Sequence, residues 1–431
     1  MKLKLSAVAL VGASALALSA CGANTTAEST SDATTSAGAA TGDIRVWLVG
    51  DTDTPQDARD YLKKTFEEQN PGSTLTIEVQ QWTGLVDKLT TSLSSNDSPD
   101  IVEMGNTQAA AFTSAGALLD LSDIQDSLGG DDLLPGFVEA GSYDGKLFAA
   151  PYYSGARVVF YNTEQYKEAG VEVPTTLDEY VSNAVTINEK LDDVAGVWFP
   201  GKDWYNALPF IWENGGQIAV QNDDGSWDAQ FSSAESLAGI AQVQTLMTEG
   251  TTAPKDGDET DAWVPLRTSK SATLSAPSWA YWSIVADEDG NDTDVTDSLG
   301  YFALPGKDGG AASVFAGGSN VGISAKSANV DLSKAALEIM LSDEYQTILA
   351  ENGLVPAKTS LGSKVAGATP ELASIIAEAA ASAKLTPASP NWAEVEAQGL
   401  LQDFFVQIAN GGDAATLAAE LDTKIESILN A

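Results

Sequence analysis

Beyond residue 42 the chain alternates short apolar runs with longer amphipathic ones. The run 44–49 reads as a buried strand, and Thr54-Pro55 supplies an N-cap residue and a proline at the first helical position for a helix reaching about residue 69. Leu62, Phe66 and the stem of Lys63 give that helix an inner face. Residues 75–79 alternate as a second strand, 85–93 are helical, and 101–104 form a third short strand. Strand, helix, strand, helix, strand predicts a parallel α/β sheet. The order returns with a strand at 158–161, a helix at 177–191 and a strand at 195–199, which predicts a second α/β unit. From residue 331 the pattern is helical, with helices at 331–341, 344–352, 370–381, 392–410 and 414–429, expected to pack around the second unit. No internal repeat and no second low-complexity linker interrupts this order, so ordered crossings must join the units.

The beginning of the chain has a different pattern. Lys2 and Lys4 precede a 13-residue apolar run from Leu5 to Ala17, and Leu18-Ser19-Ala20-Cys21 closes it. The run is shorter than the roughly 18 to 20 residues that span a bilayer, and it has the form of a secretory signal. It resembles a bacterial lipobox, with Cys21 as the lipidated residue. Residues 22–41 are small and polar, which predicts a flexible tether.

Length and charge narrow the function. The 431 residues allow two to three folded units. Lys and Arg number 22 against 61 Asp and Glu, a net charge of -39 that repels a phosphate backbone, so nucleic acid is excluded as a partner. With no histidine and one cysteine, imidazole-based catalysis, His-ligated zinc and an intramolecular disulfide are excluded as well. The acidic stretches 256–261 and 287–294 fail the spacing of a calcium loop with glycine at its sixth position and are read as solvated loops. Gly309-Gly310 and Gly317-Gly318 lack the context of a phosphate loop, and no cofactor or metal is expected. Carboxylates are so abundant that no glycosidase-like pair can be picked out.

The ten tryptophans carry more information, because many lie among Gly, Asn, Asp and Ser. An indole face suits the C–H face of a pyranose, and planar polar side chains suit its hydroxyls. In an open α/β sheet ligands bind beyond the carboxyl ends of the strands. Trp47 and Asp51 end the first strand, Gln81 and Trp82 follow the second, and Asn106 and Gln108 follow the third, so these groups are expected to share one crevice. Trp47 is equally a core residue if its side of the strand faces inward. Trp279 follows a strand at 272–275 and is expected to touch ligand; Trp204 and Trp392 are further candidates. Trp198 and Trp212 are predicted core, Trp227 flanks a hairpin, and Trp263 covers a helix.

Several segments together resemble extracellular solute-binding proteins of the maltose-binding-protein-like, carbohydrate-specific branch that serve ATP-binding-cassette (ABC) importers. They are Ser98-Pro99-Asp100-Ile101, Gly116-Ala117-Leu118-Leu119-Asp120-Leu121, Tyr143-Asp144-Gly145-Lys146-Leu147-Phe148-Ala149-Ala150-Pro151-Tyr152 and Phe160-Tyr161-Asn162. Pro174-Thr175-Thr176-Leu177-Asp178-Glu179, Gly317-Gly318-Ser319-Asn320 and Gly353-Leu354-Val355-Pro356-Ala357 complete the set. The resemblance implies an α/β, two-lobe periplasmic-binding-protein-like fold with discontinuous lobes, a hinge and an interlobe cleft. It implies a signal peptide at 1–20, a lipidated tether at 21–42, one lobe from 43–153 plus 268–320 and the other from 154–267 plus 321–431. Crossings are implied near 151–157, 267–275 and 318–321, with Tyr152, Tyr153, Arg157, Trp279, Gly318, Ser319 and Asn320 as ligand residues. The implied function is capture of a neutral mono- to trisaccharide by a monomer anchored to the outer face of the cell membrane through its lipid alone, and delivery to ABC permease subunits without catalysis. A surface glycosidase-like enzyme and an adhesive lipoprotein are the alternatives.

Overall fold

The computed structural model describes residues 41–431 apart from 52, 288–289 and 366–368; the signal segment and Cys21 lie outside the described residues. The strand Asp43–Val49 pairs in parallel with Thr74–Gln80 on one side and Ile101–Gly105 on the other, as its alternation with helices requires. Gly317–Ile323, Ala149–Gly155 and Val355–Pro356 extend this sheet antiparallel, giving six strands. On one face Ile44, Val46 and Leu48 meet Leu62 and Phe66 of the helix Gln56–Gln69 and residues of the helices Val330–Met340 and Asp343–Glu351. On the other face Trp47 and Val49 meet Leu85, Leu89 and Leu93. Period-two alternation along a single strand therefore serves two cores.

Thr54 does not cap the helix. It is fully buried, its hydroxyl pairs with the Tyr152 hydroxyl at 3.0 Å, and the helix opens at Gln56 behind Pro55.

The second body is built on the strand Arg157–Asn162, flanked antiparallel by Thr273–Pro277 and Leu299–Phe302. Its sheet is thus antiparallel, and residues 195–199 form no strand: they run beside 270–273 through separate hydrogen bonds and one bridge, Ala195 to Ser271. The expected helix at 392–410 is two helices, Trp392–Ala397 and Leu400–Ala409, broken where Gly399 takes a left-handed conformation. The hairpin predicted around Trp227 is present, with Ala219–Gln221 paired to Trp227–Ala229.

The lobe boundaries differ from expectation. Thr273–Pro277 is hydrogen-bonded into the second body, so 267–275 is no crossing. The helices Val330–Met340 and Asp343–Glu351 bury Leu332, Leu337, Tyr345 and Leu349 in the core of the first. Apolar periodicity shows that a segment is buried without showing against which sheet, which accounts for the helices, whereas the crossing at 267–275 came from the family resemblance. The first body accordingly holds 43–155 and 317–364, and the second holds 157–315 and 370–431.

At the first crossing Ala156 alone separates the strand Ala149–Gly155 from Arg157–Asn162. At the second the chain enters Gly317–Ile323 through Gly318, whose φ is +151° and where an added Cβ would stand 2.3 Å from the Tyr153 carbonyl oxygen. Replacing Gly318 with alanine is expected to destabilise the chain by about 2 to 3 kcal/mol through forced backbone movement. A urea midpoint that falls without a change in slope checks this.

Beneath this crossing Glu103 is fully buried, accepting from the Val49 N–H at 2.8 Å and the Tyr153 hydroxyl at 3.0 Å. Burial pushes its carboxyl up to about 7 from the ordinary 4.5. A raised folded-state value favours the native state fully below pH 4.5, and this contribution is lost as pH rises through 7. Glu103→Gln is therefore expected to stabilise the chain at pH 8 by on the order of 3 kcal/mol and to give no gain at pH 4. Thermal melts of both proteins across that range are the measurement.

Candidate functional site

Between the two bodies lies a cleft of about 1330 Å³, larger than the roughly 300 to 1,000 Å³ of a typical small-molecule pocket. Its floor is the crossing itself. Tyr153, Gly155 and Arg157 line it at a spacing of two, so one face of the continuous strand path points into the gap. Gly317 and Gly318 of the second crossing lie beside them.

Indole rings stand on both walls. Trp82, from the loop after the strand Thr74–Gln80, is 39% exposed and donates its Nε1–H to Asp53 Oδ2 at 2.7 Å. On the second body Trp279, also 39% exposed, meets Trp263 edge to face with ring centroids 5.9 Å apart, and Trp282 completes the group. Large apolar rings left in solvent around a concave polar site mark a ligand surface. The polar tips come from Asn106 and Gln108 at the start of the helix Asn106–Ser114, and from Asp57, Glu259 and Glu396.

These polar groups are fixed by neighbours. Asn106 donates to the Ala316 carbonyl at 3.1 Å. Thr107 donates its hydroxyl to Glu396 Oε2 at 2.9 Å, a bond between the two bodies. Burial pushes the Glu396 carboxyl up to about 7, with Trp392 and Thr107 donating against that shift. Burial also raises Asp53, opposed by the Trp82 hydrogen bond.

The crevice thus receives Trp82, Asn106, Gln108, Tyr153, Arg157, Trp279 and Gly318 as expected from the sequence. Other expected residues are turned elsewhere. Trp47 packs in the core, its Nε1–H on Glu78 at 2.7 Å and the Lys88 ammonium over its ring, because its side of the strand faces the helix Leu85–Ser94. Asp51 and Gln81 bond to each other at 3.1 Å beside the cleft without lining it. Tyr152 lies beside Tyr153 in the first core, ring centroids 5.0 Å apart, because a bulge opposite Ser319 and Asn320 turns both rings to one side, and its hydroxyl pairs with that of Tyr345 at 2.6 Å.

Ser319 and Asn320 are fully buried within the sheet, and Asn320 Nδ2 donates to the carbonyls of Phe137 and Ala149. Trp204 and Trp392 are buried beneath the wall. Trp204 stacks at 4.0 Å on Tyr205, and Trp392 donates to Glu396 Oε1 at 2.8 Å. Tyr205 and Glu396 are the residues that reach the cleft.

Trp263, expected to cover a helix, lines the gap. Glu396 follows Trp392 by one helical turn, a spacing that can be read from sequence once the tryptophan is taken as core. Nothing in the sequence marks Asp53, Glu259 or Asn352.

A family model for bacterial extracellular solute-binding proteins matches residues 51–347. The diacetylchitobiose binding protein DasA of Streptomyces coelicolor is 32% identical over 385 residues, 88% of each chain. The mannitol-binding protein of Pseudomonas aeruginosa is 28% identical over 181 residues, covering 40% of this chain and 41% of that protein. Among solved structures, the GacH receptor of Streptomyces glaucescens superposes with a TM-score of 0.75 at 24% identity over 91% of this chain and 99% of that one, which shows a common fold. By the extent of the family match, and by a relative aligned along almost its whole length, the chain belongs to the bacterial extracellular solute-binding protein family.

Proposed function

We propose that the cleft captures a neutral mono- to trisaccharide, closes over it and presents it to the permease of an ABC importer. One observation carries the reading: four indoles with solvent-facing surface, from both bodies, converge with amide and carboxylate tips on a cleft large enough for more than one sugar ring. The relatives support it, since one is named for diacetylchitobiose and another for mannitol. Closure follows from the division of the site. Trp82, Asn106 and Gln108 belong to one body and Trp263, Trp279 and Trp282 to the other, so only a shut cleft offers all their contacts to one ligand. A sugar held by both walls binds the shut form more tightly and shifts the equilibrium toward it.

The anchor belongs to the same reading. Cys21 in its lipobox context, carrying at least two acyl chains, holds a single copy of the chain to the outer face of the membrane. No helix among the described residues is long and apolar enough to cross a bilayer, and a lipid on Cys21 would supply the attachment. Family and relatives are binding proteins, which favours capture over turnover. A reducing-sugar assay on oligosaccharides separates the two, with no release expected.

A thermal-shift screen of residues 42–431 against diacetylchitobiose, maltose and mannitol tests the proposal, because ligand at a hundred times its Kd stabilises by about 2.7 kcal/mol. Trp279→Ala is expected to weaken binding of the active sugar by on the order of 2 kcal/mol. An unchanged titration would remove Trp279 from the site.

A further inference from the structure

Arg157 is the first residue of its strand, directly behind the hinge residue Ala156, and is only 5% exposed although it lines the cleft. Its Nη2 pairs with Glu259 Oε1 at 2.7 Å, and its guanidinium carbon stands 5.3 Å from the centre of the Tyr205 ring. Glu259 comes from the loop that leads to Trp263, so one acidic side chain ties the hinge strand to an aromatic wall. Asp203 bears electrostatically on Arg157 from the start of the helix Trp204–Glu213, where its carboxylate accepts from Asn206. Burial pushes Asp203 toward its neutral form.

One part of this group is unfinished. Arg157 Nη1 is buried and meets no hydrogen-bond partner among the described residues. A guanidinium presents its N–H groups in a rigid planar fork, and leaving a charged donor buried without an acceptor is costly. In the open cleft its neighbours cover Nη1 from solvent, so the pairing with Glu259 is what fixes the guanidinium. Glu259 already balances the Arg157 charge, and although Arg267 also lines the cleft, Asp53, Asp57, Asp261 and Asp287 stand on the same walls, so an incoming carboxylate or phosphate meets net negative potential.

We propose that Glu259 is a positioning and selectivity residue: it holds Arg157 in register on the cleft floor and neutralises it, so that the hinge cation draws in no anionic ligand and acidic sugars are turned away. The inference rests on the cleft being the sugar site. It adds to that reading the side chain that sets the ligand's charge class. A neutral sugar leaves that pair undisturbed, whereas a uronate carboxylate has to compete with Glu259 for the same guanidinium.

Calorimetric titration of the wild type, Glu259→Gln and Glu259→Asp tests it, with diacetylchitobiose, maltose and mannitol as neutral probes and glucuronate and digalacturonate as acidic ones. The wild type is expected to bind at least one neutral probe and neither acid. Glu259→Gln is expected to lose about tenfold in neutral affinity and to gain at least tenfold toward an acidic probe, the gain falling as salt is raised. Glu259→Asp keeps the negative charge and is expected to keep the exclusion of acids, which a loss of folding alone would not reproduce. Glu259→Gln retaining full neutral affinity with no gain for acids overturns the inference, as does a wild type that binds the acids as tightly as the neutral sugars. A wild type that binds none of the five overturns the sugar reading itself and this inference with it.

Discussion

Much of this molecule depends on the chain running from one sheet to the other with a single residue between strands. Since Ala156 alone separates Ala149–Gly155 from Arg157–Asn162, the alternation of side chains continues almost unbroken through the crossing. Tyr153, Gly155 and Arg157 therefore line the cleft, while Val158 faces the core of the second body. Hinge, floor and core are consequences of one period-two pattern. Anything that slipped the register by one residue would move the arginine out of the gap.

That pattern also marks how far the sequence can be read. The alternation of apolar runs identified the parallel strands of the first body, the crevice at their carboxyl ends and Trp82, Asn106 and Gln108 beside it. Resemblance to a family supplied the crossing at Tyr153 and Arg157. It also gave Tyr152 with Tyr153 and Ser319 with Asn320 as ligand residues, yet of these only Tyr153 lines the cleft: a bulge at Tyr152 turns both rings toward the first core, and Ser319 and Asn320 are buried in the sheet. Regular alternation could not have sorted the tyrosines, since the bulge interrupts it between them.

Other errors have a different origin. Trp204 and Trp392 were taken for contacts because tryptophan carries the largest flat surface, yet each is buried and supports the residue that does reach the cleft. The distinction depends on what packs behind a helix, which no local pattern records. Lobe membership is similar: Thr273–Pro277 and Val330–Met340 were recognisable as strand and helix, but their partners lie over a hundred and over two hundred residues away respectively. Glu259 and Asp53 were hidden among 61 acids until coordinates gave each a neighbour.

Gly155 brings the floor down to bare main chain. A methyl group built there would meet Pro277 at 3.6 Å and the Trp279 ring nitrogen at 3.9 Å, ordinary distances that demand no rearrangement. Depth at this point is accordingly open to change: a methyl group would shorten the cavity from below without disturbing either sheet. Diversification of cargo length across descendants of this scaffold has, at that one position, an open route that leaves the moving parts intact.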